Sequence, residues 1–259
     1  MKKLLKALLA FALIACMTAC SSGGSSDASS AKKTVEITVG ISPDYPPYES
    51  LDTNNEIVGF DADMVALFPS YLNTDDTEYV FTWKQMAFEN IVTQIQGDQV
   101  ELGIAGFTYD AERKVAWSQP YAGTSQVAVV AADSDIKTLK DLEGKTLAAQ
   151  TSTTGETAAK EVKNAKVVSV TNVQEIFTAL TAKQYDAVIV DRSVALNYAK
   201  AQGFKILEEP LMDEKNYIVA KEGNDEMIAL VNKAIAAFIA SDDYKKLCEK
   251  YEIAPVETE

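Results

Sequence analysis

IVTQIQGDQVELGIAGFT, residues 91–108, and IFTALTAKQYDAVIVDRS, residues 176–193, align with each other without a gap. Ile91 meets Ile176, Ile95 meets Leu180, Gln99 meets Gln184, Glu101 meets Asp186 and Ile104 meets Ile189. Each stretch follows one helical face, with apolar residues at i, i+3, i+4 and i+7. The faces begin three residues earlier, as Phe88, Ile91, Val92 and Ile95 for the first stretch and Val173, Ile176, Phe177 and Leu180 for the second. Each then passes into an apolar run of strand length and ends in polar residues, Gly106-Phe107-Thr108 and Asp191-Arg192-Ser193. Many helix–strand pairs share this much. The sharper reading is two lobes of similar build, each presenting the end of an equivalent strand, the edge where open α/β sheets bind ligands.

The same alternation runs through the chain from Thr34. Strands are expected over residues 35–41, 79–83, 100–105, 127–131, 145–149, 167–170, 186–190 and 217–220. Asn172 with Glu175 resembles a capping box, and Asn224 opens a long terminal helix carrying Ile228, Val231, Ile235 and Phe238. Pro69 interrupts the helical run after Asp61, which predicts a short or kinked helix there. The pattern is α/β with mostly parallel sheets.

Of the 259 residues, 47% are hydrophobic and 24% charged, an ordinary globular composition that excludes disordered, collagen-like and coiled-coil chains. Lys and Arg number 24 against 38 Asp and Glu, a net charge of −14 that repels phosphate backbones and argues against nucleic-acid binding. There is no histidine, which excludes Ser-His-Asp and Cys-His nucleophiles and the usual zinc sites. No catalytic residue, metal or cofactor is expected.

Residues 1–20, MKKLLKALLAFALIACMTAC, have a basic start, an apolar stretch from Ala7 to Ala15 and small residues before cysteine. That is the pattern of a cleavable secretory signal, too short to span a bilayer permanently. Cys20, after Met17-Thr18-Ala19 and before Ser21-Ser22-Gly23-Gly24, resembles the lipidated cysteine of bacterial lipoproteins. Cys16, after Leu13-Ile14-Ala15, fits the same rule. The expected order is a signal peptide over 1–19 and a flexible Ser/Gly linker over 20–33. The linker would act as a tether of roughly 20 Å root-mean-square reach. Cys248 is the only other cysteine, so no disulfide framework is expected.

Several charged and polar residues fall at strand ends. Thr108-Tyr109-Asp110-Ala111-Glu112-Arg113 reads as a strand end entering a helix capped by Thr108 or Asp110, with Arg113 in its first turn. A cation there needs a negative partner. Asp110, Glu112 and a ligand carboxylate all qualify. Gln150-Thr151-Ser152-Thr153-Thr154-Gly155-Glu156 also opens a helix, with Thr153 or Thr154 as its cap or as a donor to a ligand. Asp191 ends a buried strand, as a helix cap, a partner of Arg192 or an acceptor for an ammonium group. Tyr45, held among Pro43, Pro46 and Pro47, and Phe88 are core residues or the apolar walls of a site.

VGISPDYPPYES, IVGFDADMVALF, AGFTYDAERKVAWSQPYA, DLEGKTLAAQTSTTGET and YDAVIVD occur in this order. Together they strongly resemble the family 3 solute-binding proteins of ABC transporters for polar amino acids. The resemblance covers about Val35 to Tyr251 and is most specific from Thr108 to Tyr121. It implies the type II periplasmic-binding-protein fold, two α/β lobes joined by a two-strand hinge near Gln126–Ala132 and Lys215–Ala220. Lobe one would comprise residues 34–125 plus 218–251, lobe two 131–213, with a C-terminal tail over 252–259. By the same resemblance Arg113 clamps the ligand carboxylate and Asp191 accepts its ammonium group. Ala105 and Gly106 supply backbone groups, Thr108 a hydroxyl and an amide. Thr153 and Thr154 close from the second lobe, Gln150 touches the ligand side chain, and Tyr45 and Phe88 are the walls.

Several relatives that bind basic or amide side chains carry aspartate where this sequence has Ser42. Asp44 and Glu89 are the acids that would replace it. The partners implied are a free amino acid, the permease subunits of an ABC transporter with their cytoplasmic ATPase, and the membrane through the N-terminal lipid. The protein would be an extracytoplasmic monomer. Two other roles fit the same body: a sensor presenting its closed form to a membrane receptor, and a dehydratase using Asp44 or Glu89 as its acid.

Overall fold

The computed structural model describes residues 32–256. The expected signal peptide, Cys20, Cys16, nearly all of the linker and the last three residues lie outside them. None of the described helices is long and apolar enough to cross a membrane. Among the described residues twelve strands and seven α-helices follow in order. They are β1 (Lys33–Ile41), β2 (Asp44–Tyr45), β3 (Glu49–Leu51), β4 (Ile57–Val58), α1 (Phe60–Leu72), β5 (Thr77–Gln85), α2 (Phe88–Gln96) and β6 (Leu102–Gly103). Then come β7 (Val115–Val130), a 3-10 turn at Leu139–Leu142, β8 (Thr146–Gln150), α3 (Thr154–Glu161), β9 (Lys166–Val170), α4 (Val173–Thr181), β10 (Ala187–Asp191) and α5 (Arg192–Gln202). The chain ends with β11 (Lys205–Ile206), β12 (Met212–Lys221), α6 (Asp225–Ile239) and α7 (Asp242–Tyr251).

One sheet runs β5-β1-β6-β12-β7-β10-β8-β9, with β11 beside β7. Its flanks are parallel, β5-β1-β6 on one side and β10-β8-β9 on the other. Between them β7 and β12 run antiparallel, from Met212 opposite Gln126 to Lys221 opposite Val115. The chain therefore forms two α/β lobes joined by two strands. Pairing of β7 passes from β12 to β10 around Gln126, which faces both Met212 and Asp191.

The two halves of the internal repeat become α2–β6 in one lobe and α4–β10 in the other. In α4 the predicted face, Val173, Ile176, Phe177 and Leu180, is buried, and Asn172 Oδ1 caps the helix by accepting from the Glu175 N–H at 3.2 Å. In α2 Phe88, Ile91 and Ile95 are buried. The helix after Gly59 runs through Pro69 to Leu72, so it is not cut short. Pro69 sits in the final turn, and its carbonyl still accepts the N–H of Asn73.

Two expectations need correction. The strand expected at 127–131 is the end of a 16-residue strand beginning at Val115. Pro120 and Gly123 hide its length in the sequence. The register against β12 slips on both sides of Tyr217, opposite Pro120, and this irregularity accommodates a residue that cannot donate to the ladder. The expected tail is also not free over residues 252–256. Ile253 is buried, the Gly123 N–H donates to the Ala254 carbonyl at 2.8 Å, and the Val256 N–H donates to the Tyr244 hydroxyl at 2.7 Å.

Asn216 is the polar rivet of the joining strands. It is wholly buried, accepts from the Tyr48 hydroxyl at 3.0 Å and donates to the Gly106 carbonyl at 3.0 Å. Asn216→Ala orphans both partners and should cost about 2–4 kcal/mol. Thermal unfolding checks this as a fall of roughly 5–10 °C in melting temperature.

Candidate functional site

Asp191 closes β10 and stands at the N-cap position of α5, yet its carboxylate makes no cap bond to that helix. It is buried and turned toward the other lobe, where it accepts from Thr124 Oγ1 at 2.5 Å and from the Tyr45 hydroxyl. Arg192, its neighbour in sequence, instead donates to Ser125 Oγ at 3.1 Å and to the Glu208 carbonyl at 3.2 Å. Burial raises the Asp191 carboxyl above the usual range, while bonds from Thr124, Tyr45 and Gln126 act against that. A cation placed here would favour the ionised form.

The segment before Arg113 is a turn rather than the expected helix start. Asp110 Oδ1 accepts from the Glu112 N–H at 2.8 Å, its carbonyl accepts from the Arg113 N–H at 3.1 Å, and β7 begins at Val115. An aspartate that closes a turn on its own backbone competes with helix, and no helix dipole reaches Arg113 from this segment. The guanidinium crosses between the lobes. Nη1 donates to the Thr108 carbonyl at 3.1 Å and Nη2 to the Ser152 carbonyl at 2.8 Å. Its centre lies 5.1 Å from the ring of Phe107, 5.6 Å from Phe88 and 5.8 Å from Trp117. Burial lowers its pKa, opposed by the charges of Asp110 and Glu214. No carboxylate among the described residues pairs with it directly. With five donors on a guanidinium, these two bonds leave the fork able to hold an anion.

The hydroxyls of Thr108 and Thr154 meet across the cleft at 2.7 Å. Thr154 also donates to Glu214 Oε2 at 2.9 Å. Thr153 is the helix cap: its hydroxyl accepts from the Glu156 N–H at 3.2 Å and donates to the Gln150 carbonyl at 2.7 Å. Its side chain is therefore occupied locally. Gln150, buried at the end of β8, donates to Asp44 Oδ2 at 3.2 Å and to the Thr171 carbonyl at 3.0 Å. Tyr45 stacks on Tyr48 with ring centres 6.0 Å apart, and Phe88 packs on Phe107 at 4.7 Å.

Ala105 and Gly106 are buried behind this loop. Gly106 adopts φ +58°, and a Cβ there would lie 3.2 Å from the Tyr45 ring. Its carbonyl is taken by Asn216, and its amide lies close enough to Asp61 to lower that carboxyl. Gly106 thus shapes the loop, and its carbonyl is tied to the joining strand through Asn216.

Three residues of the site escaped the sequence reading. Glu214 on β12 accepts from Gln126 Nε2 at 2.9 Å as well as from Thr154, and burial, then the charge of Asp191, raises its carboxyl. Thr124 and Gln126 come from the middle of β7. The available signal was the period of two that puts Glu214 and Asn216 on one face of a strand otherwise rich in surface residues. Asp44, by contrast, was a candidate: it is buried and accepts from Ser42 Oγ at 2.9 Å, from Gln150, and from the Val173 N–H at the start of α4 at 2.8 Å.

Comparison with known proteins agrees with this architecture. Residues 37–253 match the bacterial extracellular solute-binding proteins, family 3. The chain is 29% identical over 222 residues to the arginine-binding extracellular protein ArtP of Bacillus subtilis (strain 168), covering 82% of this chain and 84% of that protein. Among solved structures, the substrate-binding protein of an amino acid ABC transporter is similar at 33% identity and a TM-score of 0.77, over 84% of this chain and 99% of the other. An ancestral arginine-binding protein bound to arginine is similar at 34% identity and a TM-score of 0.76, over 83% and 97%. These relatives are binding proteins rather than enzymes. The chain belongs to the bacterial extracellular solute-binding proteins, family 3.

Proposed function

We propose that the protein captures a polar L-amino acid between its lobes and delivers it to the permease of an ABC importer driven by a cytoplasmic ATPase. The observation that carries this reading is a pair of opposite charges, each turned toward the opposite lobe. Asp191 forgoes its helix cap to face the other lobe, and Arg113 reaches back with no carboxylate partner among the described residues. A zwitterion supplies what each lacks, and burying two charges is tolerable only when both are paired. Lobe one, residues 34–125 plus 218–251, would dock the ligand through Arg113, Thr108, Tyr45 and Phe88. Lobe two, residues 131–213, would close with Thr154, Gln150 and Asp191, and Ala105 and Thr153 shape the walls.

Capture and release need no catalytic group. Asp44, one acid that a dehydratase would use, is held by three donors. We further propose that the chain works as a monomer outside the cell, tethered by lipid on Cys20 through the Ser/Gly linker.

The test is thermal melting against the twenty amino acids. A ligand at a hundredfold its dissociation constant adds about 2.7 kcal/mol, a shift of several degrees. One or a few polar amino acids should shift the wild type, and Asp191→Asn should lose the shift. If none of the twenty moves the melting point, the reading fails.

A further inference from the structure

Arg113 shares the cleft with four carboxylates that bond across it, Asp44, Glu89, Asp191 and Glu214, and Asp110, Glu112 and Glu156 line its cavity too. A bound zwitterion pairs Arg113 and Asp191 and brings no net charge, so the other three bridging acids remain. Two of these are served by the chain. Asp44 accepts three hydrogen bonds, one from the start of α4. Glu214 accepts from Gln126 and Thr154.

Glu89 differs. It lies in the first turn of α2, beside Phe88, and reaches across the cleft, where Oε1 accepts from Thr171 Oγ1 at 3.2 Å. Its other oxygen, Oε2, is removed from solvent and meets no donor among the described residues. A buried carboxylate oxygen without a donor is costly, and native proteins rarely leave one. Glu89 and Arg113 also line one cavity of about 330 Å³, together with Phe88, Phe107, Ser152 and Thr153. An amino acid held at Arg113 by its carboxylate can thus run its side chain along Phe88 toward Glu89.

We propose that Glu89 is the acceptor for the ligand's side chain, and that the captured amino acid carries a cationic one, an ammonium or a guanidinium. This rests on the amino-acid reading above and narrows it. Ser42, too short to reach a distant cation, spends its hydroxyl on Asp44. Glu89 supplies the negative charge from the opposite wall, on a helix whose N-terminus already favours it.

The test is calorimetric titration with L-arginine and with L-citrulline, its neutral near-isostere. The wild type should bind arginine at least tenfold more tightly than citrulline. Glu89→Gln should weaken arginine by 10- to 100-fold, the span of one charge-assisted bond, and leave citrulline within threefold. Unchanged citrulline affinity shows the variant is folded and its cleft intact. A wild type that binds citrulline or glutamine as tightly as arginine overturns the assignment but leaves amino-acid capture standing. So does a Glu89→Gln protein that keeps the wild-type ratio. Failure of every amino acid to bind overturns both readings.

Discussion

Replacing Arg113 by alanine is expected to abolish amino-acid binding while leaving a folded protein. Among the described residues the guanidinium is bonded only to two backbone carbonyls, those of Thr108 and Ser152, and otherwise packs over aromatic rings. Its removal breaks no ion pair among the described residues. The bound ligand, in contrast, would then bury a carboxylate with no countercharge. Breaking a buried pair from one side costs about 3–5 kcal/mol, or roughly a hundredfold to several thousandfold in the dissociation constant. Arg113→Lys keeps the charge but loses the planar fork and should fall between the two. Titration calorimetry separates them. An Arg113→Ala protein that binds within threefold of wild type would remove the clamp from the account.

The second large effect concerns stability against pH. Glu49 and Asp61 are both wholly buried in lobe one. Among the described residues, both Glu49 oxygens and Asp61 Oδ1 lack donors, while Asp61 Oδ2 accepts from the Tyr121 hydroxyl at 3.1 Å. Burial and their mutual charge push Glu49 well above the carboxylate range, and burial pushes Asp61 up to about 7. The pair holds at least one proton in the native state that unfolded carboxyls, near 4, release.

The native state therefore binds more protons than the unfolded chain from about pH 4 to beyond pH 7, and stability falls as pH rises through that window. From pH 5 to pH 7.5 the loss should be about 2–3 kcal/mol, or roughly 5–10 °C in melting temperature. Burial raises Asp44, Asp191 and Glu214 in the same sense, so Glu49→Gln isolates the pair. Its amide can donate to Asp61 without titrating. The variant should melt higher than wild type at pH 7.5, with a flatter profile. A wild-type melting temperature that is level or rising over this range would falsify the shared-proton assignment.

The lobes were legible because local rules and tertiary packing agree there. Ile176, Phe177 and Leu180 repeat at helical spacing and are buried, and Asn172 and Asn224 cap the helices they open. Asp191 was visible as a charge delivered by an apolar strand. What it faces was not, since Tyr45 and Thr124 lie far away in sequence. The turn at Asp110 read as a helix because Thr, Asp and Glu favour both caps and turns, and Val115 entering the long strand decides between them. Pro120 concealed that strand, and only its partner's register explains why a proline is tolerated. Glu49 and Asp61 carried no local signal. Their burial comes from three separate segments meeting at Tyr121.

The most direct test of the whole account is a crystal structure of the protein with a bound amino acid. It should show the ligand's carboxylate on the Arg113 guanidinium and its ammonium group within hydrogen-bond distance of Asp191. A ligand seated away from that pair, or turned so that its carboxylate faces Asp191, would contradict it.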